Sequence, residues 1–247
     1  MKISLIGYGK MGKTIEKLAI ERGHTIVRIF DVDNKGDLNE TTLKEADVVI
    51  EFTQPDQAAG NLRKCFSAGV PVVCGTTGWL KEYSAVKADC EKKNGTLFYA
   101  SNYSIGVNLF FEINKRLAGL MNNHPQYDHV LIHESHHIEK VDSPSGTAIT
   151  LAEEIMRMTT RWNSWVNYTA EESVDSGKDK KGEIPIFSTR EDQVPGTHIV
   201  KYFSDVDEIE IIHKALNRQG FALGALAAAE WVSDKKGVFG MRDLLKL

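Results

Sequence analysis

Apolar and polar positions along the first hundred residues repeat with two different periods. KISLIG (Lys2–Gly7) is a short apolar run of strand character. The stretch MGKTIEKLAIERG then places Met11, Ile15, Leu18 and Ala19 at helical spacing, with Gly23 as its stop. TIVRIFD is β-branched and predicts a strand ending in Asp31. DVVIEFT, PVVCGTT and TLFYASN read as further strands, separated by helical stretches over 55–68 and 79–94. Strict alternation of strand and helix predicts an α/β domain, a Rossmann-type parallel sheet with helices on both faces.

From about residue 105 the pattern changes. VNLFFEINKRLAGLMN predicts one amphipathic helix, with Leu109, Ile113, Leu117 and Leu120 along its apolar side. YDHVLIHESH reads as a strand and TAITLAEEIMRMTTRW as a second helix. EIPIFSTRE, THIVKYFS and DEIEIIHKA are three more strands with short polar joints. Strands in succession predict a smaller α+β domain with a mostly antiparallel sheet. The polar, lysine-rich stretch over 164–182 reads as a loop, and the alanine-rich FALGALAAAEWVSDK as a helix returning to the first domain. The expected division is therefore 1–104 with 216–247 against 105–215.

Composition narrows the partners. A chain of 247 residues holds one large domain or two modest ones. Its 42% hydrophobic and 26% charged residues are those of an ordinary soluble protein, and a formal charge of −4 gives no reason to expect a nucleic-acid or membrane partner. No apolar run approaches the roughly 18 residues of a membrane span, and MKISLIGYGKMGK runs into glycines too early for a signal peptide. Cys65, Cys74 and Cys90 are odd in number and lack metal-site spacing, which suits a reducing cytoplasm.

Two stretches carry chemistry. Gly7-Tyr8-Gly9-Lys10-Met11-Gly12 fits G-x-G-x-x-G, follows a strand, opens a helix, and has Asp31 at the end of the next strand about 20 residues on. Glycines there let the backbone approach a pyrophosphate, the helix start supplies N–H groups, and Asp31 accepts from ribose hydroxyls. Asp31 disfavours a 2′-phosphate and so favours NADH, while Lys35 and Lys10 keep NADPH open. Gly75-Thr76-Thr77 and Ala100-Ser101-Asn102-Tyr103 end later strands at the same rim, where hydroxyls and amides can hold a nicotinamide carboxamide.

The second stretch is HESHHIEKVDSPSGTA (His133–Ala148). Its first five letters spell the zinc-peptidase pattern H-E-x-x-H, which requires a helix to bring i and i+4 within about 6 Å. The β-branched run ahead of it predicts a strand, where i and i+4 lie about 13 Å apart. No metal is expected, and Glu134 is then no candidate base. His136, His137 and Lys140 instead gather cationic character just before a helix start at Gly146 and Thr147, a receptor for a small dicarboxylate.

Together, GYGKMG, GTTG, SNYSIGVN, HHIEKVDSPSGTA and HKALNRQGFALGALAAAEW make the chain resemble the 4-hydroxy-tetrahydrodipicolinate (dihydrodipicolinate) reductase family from the first strand to the final MRDLL. The resemblance implies NADH- or NADPH-dependent reduction of a cyclic dicarboxylated imine on the diaminopimelate route to lysine. It also implies a dinucleotide-binding first domain, and a second domain that binds substrate and builds a homotetramer. His136 is implied as general acid/base, Lys140 as proton donor or electrostatic partner, and His137 with the Gly146 and Thr147 amides as carboxylate site. Thr77 is implied at nicotinamide and substrate together, and Arg218 near the cofactor crevice. The sequence departs from the family at Glu51, where Asp is usual, at Arg190-Glu191-Asp192-Gln193, and at Gly196-Thr197-His198, which lacks the usual intervening Glu. The last two are expected to lie away from the chemistry. Two other classes use part of the same pattern. One is a reductase of the same plan for another small carboxylated substrate. The other is a non-enzymatic NAD sensor, which needs the glycine loop but not the histidine cluster.

Overall fold

A computed structural model describes residues 1–169, 181–217 and 219–247. The chain divides into two compact units, Met1–Ile105 with Gln219–Leu247, and Gly106–Arg218. The first opens with β1 (Lys2–Ile6), α1 (Lys10–Glu21) and β2 (Thr25–Phe30), then a short 3-10 turn beginning at Val32 and α2 (Glu40–Leu43). β3 (Val48–Glu51), α3 (Pro55–Ala68), β4 (Val72–Cys74), α4 (Tyr83–Lys92) and β5 (Thr96–Tyr99) complete the alternation. Proline begins α3, and Gly69 ends it in the left-handed conformation with φ 71°, the asymmetry expected of helix ends.

The second unit contains α5 (Ile105–Asn122) from Gly106 on, β6 (His129–His136), α6 (Gly146–Met158), β7 (Ser164–Thr169), β8 (Glu183–Arg190), β9 (Thr197–Phe203) and β10 (Glu208–Lys214). Its sheet runs β10-β9-β6-β8-β7. The β10–β9 and β9–β6 pairs are antiparallel, whereas β6–β8 and β7–β8 are parallel, so the sheet is mixed and not mostly antiparallel. One of the two parallel pairs is made by β7, in a stretch where the sequence pattern predicts a loop. Its residues SWVNYT lack a clean polar–apolar alternation and join the sheet only by pairing with β8, with Tyr168 stacked on Phe187 at 5.4 Å between ring centroids. The rest of that expected loop, 170–180, lies outside the described residues.

One helix face is also reassigned. Leu109, Ile113 and Leu120 of α5 are exposed, and only Leu117 packs against the core. The buried side is Val107, Phe110, Asn114, Ala118 and Met121. α5 is apolar around most of its circumference, so periodicity alone does not choose a face. Asn114 does, donating to the Leu151 carbonyl of α6 at 3.2 Å.

The chain then returns to the first unit with α7 (Gln219–Val232), β11 (Gly237–Phe239) and α8 (Met241–Leu245). The first sheet is six-stranded and parallel in the order β11-β5-β4-β3-β1-β2. Side chains alternate across it. Ile3, Leu5, Ile50, Val73 and Phe98 pack with α1 and the alanines of α7, while Val49, Val72, Cys74 and Leu97 pack with α3 and α4. Both faces are therefore covered, as a doubly wound sheet requires. Strand order reverses between β1 and β3, and ligands of such sheets bind at the carboxyl ends beside that switch point. Among the described residues no helix is long and apolar enough to cross a membrane.

Candidate active site

At the carboxyl end of β1 the glycine loop is built by close backbone approach. Gly7 has φ +92°, and a Cβ there would stand 1.9 Å from the Phe52 carbonyl oxygen. A Cβ on Gly12 would stand 2.4 Å from the Gly7 carbonyl oxygen, so α1 seats directly on the loop. A Cβ on Gly9, by contrast, would meet nothing within 4 Å. Gly9 caps α1 without a side-chain hydrogen bond, leaving the first helical N–H groups of Lys10 and Met11 without intrahelical acceptors. A cavity of about 460 Å³ adjoins the loop, lined among others by Gly7, Tyr8, Gly9, Asp31, Lys35 and Gln57. A backbone cradle, an open helix start and an exposed carboxylate beyond them fit a dinucleotide. Lys35, a cation in that lining, donates to Gln57 Oε1, and the Tyr8 hydroxyl donates to Glu16.

The neighbouring rim divides into ligand-facing and structural residues. Thr77 is exposed, but Thr76 is buried with its hydroxyl donating to Glu51 at 2.8 Å and accepting from the Thr53 amide at 2.7 Å. Glu51 is wholly buried and also accepts from Thr53 Oγ1 and Cys74 Sγ. Gly75 leaves no room for a Cβ against the Phe52 ring. Ser101 and Asn102 stand at the rim, whereas Ala100 is core and Tyr103 is 2% exposed, its hydroxyl donating to the Cys74 carbonyl at 2.7 Å. Thr76 and Tyr103 thus shape the loop with their side chains, and only their backbone remains for a cofactor. All three cysteines are free and buried, and burial pushes each thiol above its ordinary range, so they are inert.

In the second unit, β6 alternates faces. Val130, Ile132, Glu134 and His136 point inward, and His133 turns the other way to stack on Phe187 at 5.0 Å. The zinc-like pattern is therefore split across a strand. The Glu134 carboxylate is 1% exposed and accepts from the Ser145 amide at 3.0 Å and Ser188 Oγ at 2.8 Å. His136 Nδ1 lies 3.4 Å from Glu134 Oε2, His198 Nε2 lies 3.8 Å away from the same oxygen, and Arg190 Nη1 lies 3.7 Å from Oε1. The His198 ring meets His136 edge to face at 5.0 Å. Burial holds both imidazoles neutral, pushing His136 down to about 4, against the opposing pull of Glu134, and His198 to about 3.

Around this centre, Lys140 Nζ donates to both Asp142 oxygens at 2.8 Å. Arg190 donates to the Asp142 and Thr189 carbonyls. The Ser145 hydroxyl caps α6 by accepting from the Ala148 amide at 3.2 Å and lies 3.1 Å from His198 Nε2. The Gly146 and Thr147 amides then open the helix without intrahelical acceptors. His137 lines a cavity of about 310 Å³ with residues 192–195, a lining that does not include Gly146 or Thr147.

Glu134, His136 and His198 each offer a ligand atom within 4.8 Å of the others, a grouping that could hold a metal ion. The carboxylate, however, already accepts from the Ser145 amide and Ser188 hydroxyl, and His198 Nε2 lies against Ser145 Oγ, so these groups are engaged with one another. The donor set is that of a hydrogen-bonded network.

The whole chain matches known proteins. Two family models, described as "Dihydrodipicolinate reductase, N-terminus" and "Dihydrodipicolinate reductase, C-terminus", match residues 1–103 and 106–245. The chain belongs to the dihydrodipicolinate reductase family. A 4-hydroxy-tetrahydrodipicolinate reductase of Christiangramia forsetii is 48% identical over 246 residues, covering 99% of this chain and 98% of that one. One of Archaeoglobus fulgidus is 32% identical over 264 aligned positions, covering 100% of both. Among solved structures, a dipicolinate-bound dihydrodipicolinate reductase from Paenisporosarcina sp. TG-14 superposes with a TM-score of 0.78 at 23% identity, covering 97% of each chain, which bears on the fold.

Against the family pattern, the histidine end holds a correction. The 190–198 stretch was expected away from the chemistry, yet it surrounds His136. Arg190 pairs with His136 across β6 and β8, and the Glu191 amide donates to the His136 carbonyl at 2.8 Å. A Cβ on Gly196 would stand 3.1 Å from His136 Nε2. Sequence reasoning missed Glu134, Arg190 and His198 because they converge through strand pairing. The pairing of Glu134 with His198 across β6 and β9 has no local signature. Arg218 lies outside the described residues.

Proposed function

We propose that the protein reduces 4-hydroxy-tetrahydrodipicolinate to tetrahydrodipicolinate in the diaminopimelate route to lysine, with His136 and Lys140 managing the proton. The observation that carries this reading is a buried imidazole that shares the Glu134 carboxylate with the cap of α6 and lies within the field of Lys140, in a chain matched by the family over both units. A bound reduced nicotinamide supplies the hydride. Loss of water from the hydroxylated ring leaves a conjugated imine, and hydride addition to it leaves an enamine that must gain a proton. His136 delivers that proton. One substrate carboxylate is assigned to the Gly146 and Thr147 amides and to His137, and the other competes with Asp142 for Lys140. A bound dianion raises the His136 pKa from its low ligand-free value, so substrate binding loads the proton that the reaction consumes.

Gly7–Gly12, Asp31 and the backbone of Gly75–Thr77 and Ala100–Tyr103 are read as the cofactor side of the site. Asp31 in the cavity lining, with Lys35 engaged by Gln57, supports NADH as the preferred donor. Exposed Ile209 and Ile212 on β10 support a homotetramer built through the second unit, and three free cysteines support the cytoplasm as its compartment. The test is coupled turnover with enzymatically generated substrate, run separately with NADH and NADPH. Oxidation of either cofactor dependent on that substrate is expected, faster with NADH. No turnover with either cofactor, in protein that still binds NADH, would favour the sensor reading.

A further inference from the structure

His136 Nδ1 is shut off from solvent and makes no regular hydrogen bond. The group beside it is Glu134 Oε2, at 3.4 Å. A carboxylate can only accept, and a ring lone pair turned toward it would be repelled, so Nδ1 must carry the hydrogen. Nε2 is then the atom left for the substrate, on the side of the ring that faces Gly196. The same carboxylate takes the Ser145 amide on both oxygens, at 3.0 and 3.1 Å, and Ser145 is the cap from which the Gly146 and Thr147 amides start. Ser188 Oγ, 2.7 Å from Asn167 Oδ1, donates its one hydrogen to the carboxylate from β8. One buried group therefore touches the proton-carrying histidine and the cap of the carboxylate-binding helix.

We propose that Glu134 is a positioning residue for the reaction: it holds His136 as the Nδ1–H tautomer with Nε2 turned to the substrate, and it sets the register between that ring and the start of α6. The inference rests on the reading of His136 as the proton donor. The charged and titratable groups around the ring are Glu134 on β6, Lys140 and Asp142 on the following turn, Arg190 and Glu191 at the end of β8, and His198 on β9. Among these Glu134 is the carboxylate facing Nδ1, and its charge favours a protonated ring where Lys140 and Arg190 oppose one.

Glu134→Gln keeps the shape and an oxygen for Ser145 and Ser188, but offers His136 an N–H donor that favours the opposite tautomer. A fall in kcat of roughly 10²-fold is expected, with KM changed by less than about threefold and the basic limb of the kcat–pH profile moved to lower pH. Glu134→Ala, which also frees the cap, should raise KM for the substrate in addition. A folded Glu134→Gln protein with unchanged kcat and an unmoved pH limb would overturn the proposal. The nitrogen-15 NMR signature of His136 in the unaltered protein, assigned by its loss in His136→Gln, decides independently of how the variants fold. An Nδ1–H tautomer near pH 7 is expected, and an Nε2–H tautomer would overturn it. If His136→Gln retains turnover, the proton-donor reading itself fails. If His136→Gln loses turnover and Glu134→Gln does not, only the present inference fails.

Discussion

In the proposed reading, the glycine loop of the first unit and the histidine network of the second hold anionic ligands by different means. The first is made of backbone. Gly7 and Gly12 are fixed by contacts of 1.9 and 2.4 Å that a Cβ would make, and Gly9 lies open beside the cavity. The second is made of side chains from separate elements. Glu134 and His136 come from β6, Ser145 from the start of α6, Arg190 from the end of β8 and His198 from β9. A backbone site tolerates almost no substitution at its glycines but asks little of distant residues. A side-chain network spreads its dependence over many positions, each adjustable.

That contrast is testable from its strongest end downward. Gly7→Ala should abolish NADH binding, seen as a loss of more than about 100-fold in affinity or of the folded protein, because φ +92° and the Phe52 carbonyl both exclude a methyl group. Retained binding would break the backbone side of the comparison. Gly196→Ala puts a methyl 3.1 Å from His136 Nε2 at φ +154°. A decrease in kcat of about 10-fold or more is expected, with NADH affinity unchanged when measured by fluorescence. Asp31→Ser should leave NADH turnover within a few-fold and shift the NADPH-to-NADH efficiency ratio upward by about tenfold, worth about 1.4 kcal/mol, as steady-state rates with each cofactor will report.

A separate effect is on stability, spread over a range of pH. The folded-state pKa values of His136 and His198 are held at about 4 and about 3 by burial, so the unfolded chain binds more protons than the folded one below about 6.5. Their stabilising contribution is full above that pH and declines as the pH falls toward 4 and then 3, by at most about 1.4 kcal/mol per unit for each histidine. Thermal unfolding followed between pH 7 and 4.5 should show this fall, and His198→Asn should flatten it. A slope of opposite sign would contradict the buried, neutral state of the pair.

What could be read in the sequence follows the same division. The parallel sheet, its helices and the Gly7–Gly12 loop are local patterns, in which a strand, a turn and a helix are adjacent in the chain. Rossmann-type order follows from them, and the alanine-rich α7 has buried alanines on the side that packs on the sheet. β7 was missed because its alternation is masked by Ser164 and Asn167, and the face of α5 because apolar residues lie all round it. Thr76 and Tyr103 looked like ligand residues at a rim, but their hydroxyls close the loop from within. Glu134 was set aside together with the zinc-like pattern. A strand separates it from His133 while pairing brings it to His198 and Arg190, contacts 64 and 56 positions distant that no spacing announces.

The most direct measurement is turnover of enzymatically generated 4-hydroxy-tetrahydrodipicolinate by His136→Gln beside the unaltered protein, with NADH affinity determined for both. A loss of roughly 10²–10⁴ in kcat with NADH affinity preserved is the predicted result. Unchanged turnover would remove His136 from the chemistry and, with it, the proposed role of the network around Glu134.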